Sequence, residues 1–423
     1  MGCSVLHRYS LAALLCTVAC SGAAVDRVET ASGPIEPATR DSAGVALHEH
    51  PGDAIDRAPI FTMDSAPLFV LGAGAADDFS RVFHVRLFAD GRVVLYDDPT
   101  GAVKIFGTDG APIASYGRKG EGPGEFQYVS AVVLLAGDTI AIHDPGSSRV
   151  TLMHPDTGAV RSFAVPPMGM FVSYALLTRG ASGWFFAPTG YAVNGPPELA
   201  TNGVRPQVAI VQVDEVAGVA GRTDTVGTTL GLELIRHRME MMGQSREMSA
   251  AAHFSPQAML SADAEGNLWV ADNAGWDLRM LGDRGVVGAR VRVNRAGRAT
   301  TPAILDSLTA VQRRLISSSP QATPEMVEAF LAAERAKPMV DSLPPFAAVH
   351  ATAGDLVWLS EYLAPGDLRA YFTAIDRRGR IVGRLALPAG SRAMAFGTDR
   401  VLLRTEDGDG VVRFAVHRLR AAQ

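Results

Sequence analysis

The chain has 423 residues, 47% of them hydrophobic and 20% charged, with a net charge of -5. This is globular rather than disordered composition, and the mild charge gives no support for nucleic-acid binding, which calls for a basic stripe. A body of this length exceeds one ordinary core unless the fold grows by repetition.

The three cysteines, Cys3, Cys16 and Cys20, all lie at the extreme N-terminus, so the body after them has no disulfide and no thiolate chemistry. His7 and Arg8 precede an apolar run from Leu11 to Ala19, which is too short to span a bilayer and has the length of a signal h-region. Residues 1–19 therefore read as an export signal. The run Thr17-Val-Ala-Cys20-Ser21-Gly22 resembles the bacterial lipobox, in which the cysteine becomes the lipidated first residue. Thr17 stands where Leu is usual, which leaves plain cleavage as the alternative. Ser21 resembles the residue found in lipoproteins sorted to the outer membrane. The resemblance implies a cell-envelope protein anchored through Cys20 and facing the periplasm, or a secreted one if Cys20 carries no lipid. Residues 20–57 are rich in Ala, Pro, Asp and Glu without periodicity, and read as a flexible tether.

From there to residue 423 short β-type runs recur. "DGRVVLYDD", "GDTIAIHDP", "EGNLWVADN", "GDLVWLSE" and "TDRVLLRTE" each place a turn pair before β-branched, aliphatic or aromatic residues and end on a polar stop. A second strand follows each, as in "GAVKIF" and "SRVTLM", and most then enter an Asp-Gly turn. Another apolar strand precedes each motif. A four-stranded antiparallel unit repeating only strands is the signature of a β-propeller. Units beginning near Val82, Phe126, Phe171, Phe254, Phe346 and Ser391 predict an all-β, six-bladed propeller of four-stranded antiparallel blades over residues 58–423. The third unit reads as degenerate. The last has three strands of its own, and "APLFVLG" (66–72) is expected to supply the fourth and close the ring. Two insertions, about 222–253 and 294–345, read as helical, the first on Leu234, Ile235, Met239 and Met242. In the second, Thr301-Pro302 and Thr323-Pro324 are helix start signals.

"SYGRKGEGPGEFQYVSAVVLLAGDTIAIHDPGSSRVTLM" is similar to an NHL-type repeat, with glycines, a phenylalanine, a Gly-Asp turn and an Asp-Pro…Arg stretch in that order. The chain more closely resembles bacterial six-bladed propeller lipoproteins of the NHL/TolB-like superfamily. The resemblance implies a fold and a location, not a reaction.

The glycines of "GRKGEGPGEFQY" are not a phosphate cradle. Lys119 precedes the second glycine, no Ser or Thr follows it, and the next element is a strand rather than a helix. They are expected to let the chain leave one blade and start the next, with Phe126 wedged between blades.

Both insertions and the loop at 187–206 are expected on one face. Candidates for contact there are Arg118, Lys119, Asp144, Arg149, Tyr191, Trp276 and Tyr362, whereas Trp184, Trp269 and Trp358 read as core. Acids at strand ends (Asp97, Asp98, Asp144, Asp272, Glu361 and Glu406) read first as turn caps and otherwise as a cation-binding ring. Calcium-dependent six-bladed lactonases use an all-oxygen shell, but the first strands here offer His84, Ser130, Tyr174, Ala258, His350 and Met394. His84, His253 and His350 are the imidazoles a zinc site would use. No G-x-S-x-G elbow or H-E-x-x-H motif occurs. The reading is an envelope-tethered binding module without cofactor or catalysis, whose loop-rich face takes a protein or small-molecule ligand. The alternative is a lactonase-like hydrolase or lyase with Ca or Zn in a central channel.

Overall fold

The structure, a computed structural model, describes residues 31–72, Phe79 and 81–421, except 159, 167, 169–171, 192–196, 202, 217–218, 242–243, 264, 320, 353–354 and 368. The export signal and Cys20 lie outside these residues.

Strands dominate. Val82–Leu87, Val93–Asp97, Ala102–Phe106 and Pro112–Tyr116 pair in chain order, each antiparallel to the one before. The second strand, VVLYD, is buried throughout, whereas the outermost, PIASY, is largely exposed. That gradient is what four strands running from the inside of a disc to its rim require. The pattern recurs in Ala131–Leu134 to Val160–Ala164 and in Val172–Gly180 to Val219–Leu230. It recurs again in Ala258–Ala262 to Val287–Asn294 and in Phe346–Ala351 to Ile381–Ala386. Arg392–Phe396, Arg400–Glu406 and Val412–Arg420 form the last antiparallel set, and Phe69–Leu71 joins it against Phe414–Val416. The early "APLFVLG" segment thus latches the C-terminal strands as expected.

The apolar residues do not form one core but a chain of interfaces between neighbouring sheets. Tyr96, Phe126 and Ile142 share one cluster; Ala141, Trp184 and Val213 share the next; Phe185 and Val270 share a third. Trp269 packs with Val357, Trp358 with Leu403, and Phe414 with Val82 and Leu95, which returns to the first sheet. The innermost strands touch in the same cyclic order, from Val82–Leu87 through Ala131–Leu134 and onward until Arg392–Phe396 meets Val82–Leu87. Antiparallel four-stranded sheets set radially around an axis define a β-propeller.

The glycine-rich stretch is architectural. Gly117 has φ +83°, and a Cβ there would meet the Phe126 ring at 2.6 Å. Phe126 is fully buried between sheets and meets Tyr96 edge-on, with ring centroids 6.0 Å apart.

Three expectations are corrected. Residues 31–57 are not a loose tether: Ala38–Ser42 and Val45–Pro51 form a hairpin, and Val45–Pro51 pairs parallel with Val287–Asn294. A short helix α1 (Ala54–Arg57) then buries Ala54 and Ile55 completely. The segment's own hydrophobicity is weak. Its order comes from the ladder bonds an outer strand offers, and from His50, whose Nε2 meets the Gly379 carbonyl at 2.7 Å.

The first insertion is not helical. Leu234–Met241 and Gln244–Ala251 pair as a β-hairpin. The alternation of exposed Arg236 and Arg238 with buried His237 outweighs the helical spacing of its apolar residues. The third unit, far from degenerate, is a complete sheet whose fourth strand extends to Leu230, into the segment assigned to the insertion.

The second insertion does hold α2 (Pro302–Ser317) and α3 (Pro324–Ala336). The Thr301 and Thr323 hydroxyls accept from the Ile304 and Met326 amides, and a proline opens each helix. Among the described residues no helix is long and apolar enough to cross a membrane.

Candidate functional site: the central cavity

The innermost strands line an open cavity of about 860 Å³. Local irregularity aims side chains into it. In Val82–Leu87 the ladder slips by one residue at Phe83; in Val172–Gly180 at Leu177; in Phe346–Ala351 at Ala347; in Arg392–Phe396 at Met394. A bulge sets two residues against one and turns the extra side chain out of the pleat. All four extra residues line the cavity, and Phe83 is 66% exposed there.

The lining is uneven. Leu134, Leu135, Leu176, Leu177 and Leu260 make an apolar wall. Across from them, on innermost strands adjacent in the ring, sit Arg86, His350 and Arg392. His350 is held at a pKa of about 4, chiefly by burial and further by the charges of Arg86 and Arg392, so its imidazole is neutral at neutral pH. Burial also lowers the pKa of Arg86.

Carboxylates at the cavity's ends are already engaged. Asp263 accepts from Arg377 at 2.7 Å and from the Asn267 amide at 2.9 Å. Glu361 accepts from Arg384 Nε and Nη2, both at 2.6 Å, and from the Thr373 hydroxyl at 3.1 Å. Asp138 pairs with Arg92.

Most residues expected on the binding face are occupied by structural work. Arg149 donates to the carbonyls of Glu121, Gly122 and Glu125, pinning the glycine-rich loop. Asp144 accepts from the amides of Gln127 (2.8 Å), Tyr128 (3.0 Å) and Ser147 (3.2 Å). Lys119 donates to Asp98 at 3.0 Å and to the Tyr96 hydroxyl at 3.3 Å, and Arg118 pairs with Glu125.

Trp276 is not an exposed anchor. It begins a strand, is 8% exposed and packs on Phe346 with centroids 5.6 Å apart. It shares a surface cleft with half-buried Tyr362, beside the Arg384–Glu361 pair. Tyr191 ends the strand Gly183–Tyr191, opposite Val172.

Of the other strand-end acids, Asp97 and Asp272 bond within their own turns, whereas Asp98, Glu361 and Glu406 are engaged in ion pairs. Asp97 accepts from the Thr100 hydroxyl at 2.8 Å, and Asp272 from the Ala274 amide at 3.0 Å and from Arg205. Glu406 pairs with Arg404.

The three histidines are placed separately. His84 bonds the Val129 carbonyl at 3.1 Å, His350 lines the cavity, and His253 sits at the helical insertion, 2.7 Å from the Glu334 carbonyl. Among the described residues no three His, Cys, Asp or Glu side chains gather as a metal-binding set. Sequence reasoning missed Arg86. It stands in "FHVRLF", where a lone charge among apolar strand residues was the available signal.

Fold and cavity together define a β-propeller with a ligand-sized central space. No protein-family model matches the chain, and no curated protein matches it in sequence. Among solved structures it is similar to a DUF4221-family member from Bacteroides vulgatus, with 9% identity, 86% of this chain and 99% of that one covered, and a TM-score of 0.49. It is also similar to virginiamycin B lyase from Staphylococcus aureus (10% identity, 85% and 99% covered, TM-score 0.39). A third similarity is to the WD40 repeats of RRP9 (10% identity, 86% and 99% covered, TM-score 0.42). Similarity at this level assigns neither a family nor an activity.

Proposed function

We propose that the protein is a six-bladed propeller, exported and held at the cell envelope through a lipid on Cys20, that binds a small molecule in its central cavity without transforming it. The cyclic succession of inter-sheet clusters supports the blade number. The observation carrying the binding reading is the cavity itself. Its volume falls within the range of ligand pockets, roughly 300–1,000 Å³. Four bulges spend backbone regularity on lining it, and the carboxylates at its ends are engaged by arginines rather than left for proton transfer.

Native mass spectrometry of protein purified from envelopes tests this. The expected result is a bound small molecule that is absent from Ala347→Trp, a variant that fills the cavity from an exposed bulge position. Both proteins emerging bare would overturn the reading. Metal analysis separates it from a hydrolase or lyase. Stoichiometric calcium or zinc, lost on His84→Ala or His350→Ala, would replace binding by metal-dependent chemistry.

A further inference from the structure

Arg86 differs from three arginines near the cavity that carboxylates neutralise. Arg92 is paired with Asp90, Asp138 and Asp156, Arg377 with Asp263 and Glu265, and Arg384 with Glu361. Among the described residues Arg86 has no carboxylate partner. Its hydrogen bond is from Nη1 to the carbonyl of its neighbour Val85, at 2.9 Å. Yet it lies on an innermost strand, enclosed by protein, with its remaining surface on the cavity.

A guanidinium carries five N–H donors and stays charged, and the bond to Val85 uses one of them, leaving the others for a group in the cavity. An uncompensated charge in such a place is costly, and a site that keeps one is a candidate for recognising the opposite charge. Arg392 adds a second positive group to the same wall and also lacks a carboxylate partner among the described residues. Neutral His350, on the strand next to that of Arg392, supplies a hydrogen-bonding group without further charge. The opposite wall is leucine, and Phe83 stands at 66% exposure on the first strand.

Resting on the cavity-binding reading, we infer that the ligand is an amphiphilic anion: an oxyanion head, carboxylate or phosphate, seated on Arg86 with Arg392, and an apolar body laid against Leu134, Leu135, Leu176, Leu177 and Leu260. A bidentate guanidinium–oxyanion pair fixes the head, and the burial of Arg86 strengthens it. The cavity volume of about 860 Å³ accommodates a body of some ten carbons with room to spare.

Calorimetric titration below micelle-forming concentration tests the assignment, with decanoate, decyl phosphate, 1-decanol, decyltrimethylammonium, acetate and inorganic phosphate as probes. One decanoate or decyl phosphate should bind per chain, at least tenfold tighter than decyltrimethylammonium. Arg86→Gln should weaken both anions at least tenfold while leaving 1-decanol unchanged. It should melt no lower than wild type, because it removes an uncompensated charge. Comparison of the two anions shows which head is preferred. If 1-decanol binds and Ala347→Trp blocks it, but the anions gain nothing or ignore Arg86→Gln, the anion assignment fails while the cavity reading stands. Acetate or inorganic phosphate binding as tightly as its decyl counterpart would remove the apolar body from the proposal. Absence of binding by every decyl probe would end both.

Discussion

The Arg86 guanidinium and the His350 imidazole line the same cavity, and the charge of the first adds to burial in keeping the second unprotonated until about pH 4. Two more buried histidines share this depression. His84 is held near 4 by burial and Arg86, and His143 near 4 by burial. Each binds its proton readily in the unfolded chain, at about 6.5, and poorly in the folded one. Stability therefore falls as pH drops from about 6.5 toward 4, because the unfolded state takes up protons that the native state refuses. The contribution levels off below about 4. The slope approaches about 1.4 kcal/mol per pH unit for each histidine in mid-window. Guanidinium unfolding at pH 7.5, 6 and 5 measures it, and His350→Gln should remove about one histidine's share. A flat profile between pH 6.5 and 5 would contradict the burial of these rings.

Asp144 is a cap without a substitute. Its carboxylate serves the amides of Gln127, Tyr128 and Ser147 and the Ser147 hydroxyl, and the residue is fully buried. Asp144→Ala strands those donors and should cost about 2–4 kcal/mol, while Asp144→Asn should recover part of the loss. Chemical denaturation reads both values. Equal melting of the alanine variant and wild type would show that the amides find other partners.

Arg149 and Arg118 flank the same glycine-rich loop with different consequences. Arg149 holds three carbonyls, so Arg149→Ala should cost about 2–4 kcal/mol and loosen residues 117–126 to hydrogen exchange. The Arg118 side chain is 78% exposed, and Arg118→Ala should leave the melting temperature unchanged. Reversal of that order would refute the structural role given to Arg149.

Ile55 distinguishes a packed segment from a tether. It is fully buried against the fourth and fifth sheets, beside Val291, Val293 and Ile381. Ile55→Ala should destabilise by about 2–5 kcal/mol. A free tether would show no change.

Cys20→Ser should release the protein from membranes into the soluble envelope fraction, since acyl chains supply the anchoring. Unchanged membrane association would refute lipidation at Cys20.

The strands were legible wherever side chains alternate with turns on a short period. "DGRVVLYDD" and "GDTIAIHDP" announce buried second strands because Val, Ile and Leu fill both faces between an opening turn and a terminal aspartate. Legibility failed where a neighbour supplies the order. Val45–Pro51 is a strand because Val287–Asn294 offers it a ladder, and composition does not display that. Leu234–Met241 mixes helical and alternating spacing, and its pairing with Gln244–Ala251 decides. The cavity was least visible, because bulges at Phe83, Leu177, Ala347 and Met394 are one-residue slips with no residue code of their own. Arg149 and Asp144 were singled out by charge and position, but their charges point inward to backbone, a direction sequence does not state.

The pairing of Phe69–Leu71 with Phe414–Val416 also sets a timetable. Phe69–Leu71 is made long before its partner strand, so the circle cannot shut until Phe414–Val416 has been synthesised. Until then Phe69, Leu71, Phe79 and the inner flank of the first sheet have no lasting cover. A nascent chain that stops short of that strand therefore offers greasy surface to chaperones and proteases, and the arrival of Phe414–Val416 is itself the signal that withdraws it.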